Sequence, residues 1–317
     1  MSREYGIIPF SCVPGPRGFV AETFIVEDFN GTKVFVKWLP TWASAQAMLR
    51  GLAVAERLRA LGVPAAAPIR TLAGLLSTEL QGRTVAVFEF VEGERGAVID
   101  QRLGSSSFNY DYETFVRLLA SIHNATANIG VELPLETFSI PWGSPFETAF
   151  RRTLDAKPAT PSQAKLQDLM RREQAQIEAD WADLQSMPCK CGSAAWTPVL
   201  THGDLLGDNI IVGTDGALHP IDWDDPVLAP SERDTWFFTC DPEAEAAFSE
   251  AYRRAFPRWG VDPLRRRYYL FWRFFQDMLG YIDIILDDPS HDRQAWSLSE
   301  LRKTCFEWLW PPMRSLS

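Results

Sequence analysis

One segment constrains this 317-residue chain more than any other: Thr201-His202-Gly203-Asp204-Leu205-Leu206-Gly207-Asp208-Asn209, with Asp222 thirteen residues after Asn209. The apolar run Ile210-Ile211-Val212 reads as a strand, and Thr214-Asp215-Gly216 as the turn that sends the chain back. The returning strand ends at Asp222, so one hairpin sets its carboxylate beside the Asn209 amide, with Asp204 on the loop just before. Taken singly, each residue fits a polar turn, a helix cap or a solvent-facing charge. The joint pattern, H-x-D-x-x-x-x-N and then Ile221-Asp222-Trp223-Asp224, is what argues for a site.

Phosphoryl transfer requires such a set. A carboxylate must stand beside the attacking hydroxyl to orient it and accept its proton, and ligands are needed for the magnesium ions that neutralise a triphosphate. Magnesium prefers hard oxygen donors, which Asp and Asn supply. Protein kinases place the same residue types at this spacing. A metal hydrolase built on His202, Asp204 and Asp222 is the rival chemistry, but such sites favour further histidines and the chain has four in all.

A kinase reading then makes demands upstream. Residues 19–27 and 33–38 alternate as strands around Asn30-Gly31, a strong hairpin signal. A helix is expected over about 42–61, with Met48, Leu52, Ala55 and Leu58 at helical spacing and Gly62 and Pro64 ending it. Strands over 75–80 and 84–91 follow, joined by Gln81-Gly82. Kinases pair a lysine on their third strand with a glutamate on the following helix against the α- and β-phosphates; Lys37, at the end of the Val34-Phe35-Val36-Lys37 run, and Glu56, midway along the helix, meet these demands. Either residue alone reads as an ordinary solvent-facing charge. The backbones of Glu89 and Val91, in Phe88-Glu89-Phe90-Val91-Glu92-Gly93, are the candidate adenine contacts.

Beyond Gly93 the periodicity turns helical, over 112–126, 164–187 and 264–286, and an all-helical second lobe is the expectation apart from the short β segment at 199–218. Residues 188–197, rich in Pro, Gly and Ser, read as an exposed loop carrying Cys189 and Cys191. His123 reads as a satisfied structural histidine. The acceptor should be met by the helical lobe and the residues just past Asp222. Asp224, Asp225, Asp277 and Asp283 are candidate anchors for an amine, with Asp277 singled out among Phe274, Phe275 and Met278. Trp272, Phe275 and Tyr281 could wall a ring, although aromatic stripes at helical spacing more often fill a core.

The stretch from His202 to Asp234, with Ile221-Asp222-Trp223-Asp224-Asp225-Pro226-Val227-Leu228-Ala229-Pro230-Ser231-Glu232-Arg233-Asp234, resembles the aminoglycoside phosphotransferase and choline kinase superfamily. Its ending is most similar to that of spectinomycin phosphotransferases. The resemblance implies an α+β, two-lobed protein-kinase-like fold: an antiparallel-sheet lobe at 1–92 that binds nucleotide, and a mostly helical lobe at 93–317 with the catalytic loop and acceptor site. It implies Asp204 as catalytic base, Asn209 and Asp222 as magnesium ligands, and Asp234 as a buried brace for the catalytic loop. ATP or GTP would be the donor, and an aminoglycoside or aminocyclitol-type antibiotic the first-choice acceptor. Another hydroxylated natural product, a choline-like alcohol or a sugar stays open, as does a pseudokinase that binds nucleotide without turnover. The chain departs from many relatives in having Leu206 and Trp223, and its Val13–Phe19 loop matches the kinase glycine-rich loop poorly.

Composition sets the outer bounds. The length suits two lobes, and 46% apolar with 23% charged residues is an ordinary globular profile. Lys and Arg total 31 against 41 Asp and Glu, and a net charge of −10 disfavours nucleic acid while suiting a cationic small molecule. Five scattered cysteines fit a reducing compartment. With no signal-like N-terminus and no run of 18 apolar residues, the expectation is a cytoplasmic protein with no membrane span.

Overall fold

Two glycine-containing turns organise the first part of the chain. The computed structural model describes all residues except 17–20, 41–44, 101–104, 109–110, 206, 238–241, 258–259 and 316–317. The expected starts of the first strand and of the first long helix, at 19 and about 42, lie outside the described residues, as do Leu206, Cys240 and part of the Val13–Phe19 loop. Contact density divides the chain into two compact units: Met1–Leu135, Pro198–Ala229 and Phe248–Trp259 in one, Glu136–Thr197, Pro230–Ala247 and Gly260–Ser317 in the other. The proposed nucleotide-binding lobe, 1–92, lies whole within the first.

In the first unit, α1 (Ser2–Tyr5) and strand β1 (Pro9–Pro14) precede the expected hairpin of β2 (Glu22–Asp28) and β3 (Lys33–Trp38). Helix α2 (Ala45–Ala60) follows, then β4 (Thr78–Leu80) and β5 (Arg83–Glu89). The turn between these last strands has Gln81 at φ 54° and Gly82 at φ 70°, the two left-handed residues that match strand twist in a tight hairpin. The five strands form an antiparallel sheet in the order β1-β2-β3-β5-β4. Tyr5, Val26, Val34, Val36, Val85 and Val87 fill one of its faces; Ala21, Leu39, Ala86 and the helix residues Met48 and Leu52 fill the other. Sequence reading missed β1, an edge strand with proline at both ends, where proline is tolerated because no partner needs its N–H.

The same unit continues with three short strands, β6 (Gly93–Arg95), β7 (Ala97–Asp100) and β8 (Ser105–Phe108), and α3 (Tyr112–Asn124), capped by Asp111, which accepts from the Thr114 N–H at 2.8 Å. Four more strands, β9 (Val199–Thr201), β10 (Ile210–Gly213), β11 (Leu218–Pro220) and β12 (Val227–Ala229), complete it. Strand β10 pairs antiparallel with β11 and β6, and β9 with β12. The part after residue 92 is therefore not all helix outside one segment. These strands are three or four residues long, too short for alternation to reveal.

The second unit is helical: α4 (Gly143–Asp155), α5 (Pro161–Ser193), α6 (Glu232–Thr235), α7 (Pro242–Ala255, shared with the first unit), α8 (Pro263–Asp287), α9 (His291–Leu301), a π-helical stretch over Arg302–Leu309, and α10 (Trp310–Ser315). The supposed loop at 188–197 is corrected, because α5 runs through Pro188 to Ser193. Leu184, Met187 and Cys191 keep one helical face buried, and that burial outweighs the hydrogen bond lost at proline. Cys189 and Cys191 are thus helix residues, one exposed and one buried, rather than loop thiols.

Helix α8 runs through the core of this unit. Phe275 is fully buried, with ring centroids 5.0 Å from Phe146, 5.1 Å from Trp181 and 5.0 Å from Phe274. It is packing, not an acceptor wall, and Tyr281 is buried as well. Phe275→Ala should lower unfolding free energy by about 3–5 kcal/mol, measured by urea denaturation. Trp296→Ala, at a side chain half-exposed on α9, should shift the midpoint far less.

Candidate active site

The β10–β11 hairpin forms as the sequence predicts. Ile210 faces Pro220, and the Ile221 N–H donates to the Asn209 carbonyl at 2.9 Å, which brings Asn209 and Asp222 together at one end of the strand pair. Upstream, the Asn209 side-chain amide donates to the Asp204 carbonyl at 2.8 Å and to its carboxylate at 3.0 Å. That contact uses the amide's NH2 and turns its oxygen, Oδ1, the other way. Asn209 thereby joins Asp204 on one side and the end of the hairpin that carries Asp222 on the other.

His202 joins the two halves of this cluster, a role sequence reading did not assign. Its Nδ1 accepts the Asp204 N–H at 3.3 Å and its Nε2 contacts the Ile221 carbonyl at 2.8 Å. A backbone N–H only donates and a carbonyl only accepts, so the ring proton sits on Nε2. The ring is buried and lies 4.5 Å, centroid to centroid, from Trp223. Asp222 has φ 65°, left-handed backbone that side chains rarely adopt and that collects at functional sites. Gly203, at φ 85°, makes the corresponding bend on the loop that carries Asp204.

Lys37 reaches the same place from β3. Its ammonium is hydrogen-bonded to the Asp222 carboxylate and lies 2.6 Å from Asp224 Oδ2. The lysine side chain is 11% exposed, whereas those of Asp222 and Asp224 are 46% and 49% exposed, so the carboxylates keep a solvent-facing side. Burial alone would lower the lysine pKa, and the two carboxylates more than reverse this and raise it. Burial raises Asp222, but Lys37 outweighs it and holds the carboxyl below the usual range. Asp224 is raised, by burial first and then by the adjacent Asp222 charge.

Glu56 corrects the sequence reading of a Lys37–Glu56 pair. Its carboxylate takes a bidentate pair of bonds from Arg70, both 2.6 Å. A planar guanidinium fits two carboxylate oxygens at once, whereas an ammonium is a point charge. Lys37 finds its counter-charge at Asp222 and Asp224 instead. The D-x-D spacing hinted at this, and the means is a turn: Asp222 is left-handed and the Asp224 N–H returns to the Asp222 carbonyl at 2.9 Å, so both carboxylates reach Lys37 while Trp223 between them is buried.

The other candidates are more dispersed. The Glu89 N–H donates to the Ala67 carbonyl at 3.1 Å and its side chain pairs with Arg59 at 3.3 Å, so the carbonyl is the Glu89 group left for a base. Val91 follows β5, half-buried. Asp277, in the second unit, pairs with Arg273 at 2.8 Å, one turn away on α8. Asp225 and Asp283 are exposed, and Trp272 donates its indole N–H to the Ser139 carbonyl at 3.2 Å. His123 is buried against Tyr252, its Nδ1 hydrogen-bonded to the hydroxyl, as expected of a structural histidine.

The donor set suits magnesium. Among the described residues no group of three or more His, Cys, Asp or Glu side chains forms a metal cage. Magnesium binds through one or two carboxylates plus substrate phosphates and retained waters, so half-exposed Asp222 and the outward Oδ1 of Asn209 are the right kind of site. No described helix is long and apolar enough to cross a membrane.

Comparisons with known proteins place the chain in a family and a fold. A family model for the phosphotransferase enzyme family matches residues 11–271. No curated protein matches the chain in sequence. Among solved structures, spectinomycin phosphotransferase APH(9)-Ia in complex with ADP and spectinomycin is 20% identical, with 98% of this chain and 95% of that one covered and a TM-score of 0.78. A microcompartment-associated aminopropanol kinase is 18% identical over 97% and 94%, with a TM-score of 0.63. Amicoumacin kinase hAmiN, in complex with AMP-PNP, Ca2+ and Ami, is 15% identical over 95% and 90%, with a TM-score of 0.61. These likenesses establish the protein-kinase-like α+β fold expected from the sequence. With the family model spanning most of its length, the chain belongs to the phosphotransferase enzyme family.

Proposed function

We propose that the protein is a cytoplasmic small-molecule kinase that transfers the γ-phosphoryl group of ATP or GTP to a hydroxyl of an aminoglycoside or aminocyclitol-type antibiotic, and so acts in resistance. The observation that carries this reading is the convergence of Asp204, Asn209, Asp222 and Lys37 within one compact unit. In the proposed reaction Asp204 orients the acceptor hydroxyl and accepts its proton. The hydroxyl oxygen bonds to the γ-phosphorus, the bond from phosphorus to the β–γ bridging oxygen breaks, and the nucleoside diphosphate leaves. Lys37 offsets phosphate charge. Asp222 and Asn209 would hold magnesium, which would supply positive charge against that of the phosphates.

Net charge of −10 suits a cationic acceptor. The similar structures include a spectinomycin phosphotransferase and an aminopropanol kinase, so the test panel spans aminocyclitols, aminoglycosides, amino alcohols, choline and sugars. Incubation with each compound, Mg2+ and ATP or GTP, followed by mass detection, should find one phosphoryl group gained on an aminocyclitol or aminoglycoside. Turnover confined to sugars or choline would replace the acceptor assignment, and nucleotide binding with no turnover on any acceptor would leave a pseudokinase.

Three substitutions divide the roles. Asp204→Ala should lower kcat by roughly 10²–10⁴-fold with nucleotide affinity nearly intact, and retained turnover would remove it as base. Lys37→Ala should lower kcat/KM for nucleotide by about tenfold or more, the worth of a charge-assisted hydrogen bond; unchanged nucleotide kinetics would take it out of the site. Because Asp224 shares the Lys37 ammonium, Asp224→Asn should change KM for nucleotide more than KM for acceptor. The reverse split would make Asp224 an acceptor anchor.

A further inference from the structure

Helix α2 carries a glycine in its interior, and its place explains it. Glycine is the poorest helix former after proline, so one that is buried midway along a helix needs a packing reason. Gly51 is buried, and the atoms it faces belong to the backbone just past Asp222. A Cβ built on Gly51 would stand 1.5 Å from the Trp223 carbonyl oxygen, 2.7 Å from its carbonyl carbon and 3.3 Å from its Cβ. The nearest obstacles are main-chain atoms, which have no rotamer by which to swing away. By contrast, a Cβ on Gly280 of α8 meets nothing within 4 Å.

The Asp222 segment is held on its other side. Ile221 accepts from His202 at 2.8 Å and donates to Asn209 at 2.9 Å, and the Asp224 N–H returns to the Asp222 carbonyl at 2.9 Å. Helix α2 has no slack with which to retreat, since Leu52, Val54, Ala55 and Leu58 are 2%, 0%, 1% and 0% exposed. We infer that Gly51 is a positioning residue for Asp222: its missing side chain seats the Trp223 carbonyl against α2 and fixes the left-handed backbone on which the Asp222 carboxylate stands. A methyl group at position 51 has to move the loop, and with it the carboxylate. Gly51 has no side chain to offer a ligand, and the backbone it faces is that of Trp223, so it acts through the Asp222 segment.

This inference rests on the proposed role of Asp222 toward magnesium, and its test reads binding rather than turnover. ADP affinity is measured by calorimetry with and without Mg2+ for the wild type, Gly51→Ala and Gly280→Ala. The wild type and Gly280→Ala should show the same Mg2+-linked gain in affinity. Gly51→Ala should lose about tenfold or more of that gain, as expected of an ångström-scale misplacement, while binding metal-free ADP like the wild type. A full gain in Gly51→Ala overturns the inference. A wild type with no Mg2+-linked gain instead overturns the magnesium role of Asp222. If Gly51→Ala lacks a cooperative thermal melt, amide hydrogen exchange on the wild type decides: Mg2+ and ADP should raise protection over 48–54 together with 222–224. Protection rising over 222–224 alone overturns the coupling.

Discussion

An ammonium and two carboxylates meet at the end of strand β3, and the remaining features of the first unit serve to hold them there. Burial opposes the charge on each of these groups. Lys37 is the most enclosed, and it stays charged because Asp222 and Asp224 supply more favourable interaction than burial removes. The carboxylates stay partly in water, which keeps the trio from the penalty of a fully buried ion cluster. With all three groups ionised, the arrangement would carry one net negative charge. In the proposed reaction this charge would suit a cation on the open side, and phosphate oxygens where a cation accompanies them.

Much of this arrangement was legible in the sequence because it is local. Asp204, Asn209 and Asp222 lie on one loop and one short hairpin, and a Gly-containing turn dictates how such a hairpin folds back. Lys37 was legible through strand order. What escaped was partner choice between distant elements. Glu56 satisfied the helical-position rule, yet Arg70, fourteen residues on, offers the better-shaped cation. Nothing in a one-dimensional pattern ranks two cations by the geometry of their donors.

Burial also overrode the local signals elsewhere. Pro188, Gly192 and Ser193 read as a loop, but the apolar face of α5 continues through Cys191 and keeps the helix intact. The aromatics of α8 fill a core, as stripes at helical spacing usually do, so their identity says little about an acceptor. The same holds for Asp277. Its place among aromatic residues looked functional, and Arg273 one turn earlier gives it a structural partner. Acceptor recognition depends on which polar groups face a ligand, and sequence periodicity reports only which groups face a core.

Backbone geometry explains why the chain tolerates a strained residue at the position proposed to hold magnesium. Asp222 sits in left-handed conformation, where a residue with a Cβ is at a disadvantage of roughly 1–2 kcal/mol. Such a conformation persists only where neighbours over-determine it. His202 and Asn209 fix the chain entering Asp222, and Lys37 fixes its side chain and that of Asp224. A glycine at 222 would relieve the strain and remove the carboxylate. An aspartate keeps the carboxylate and, with asparagine, is among the side chains best able to adopt left-handed backbone. Chemistry and conformation therefore restrict this position together, and the conformation projects the carboxylate toward Lys37 while Trp223, the next residue, packs against His202.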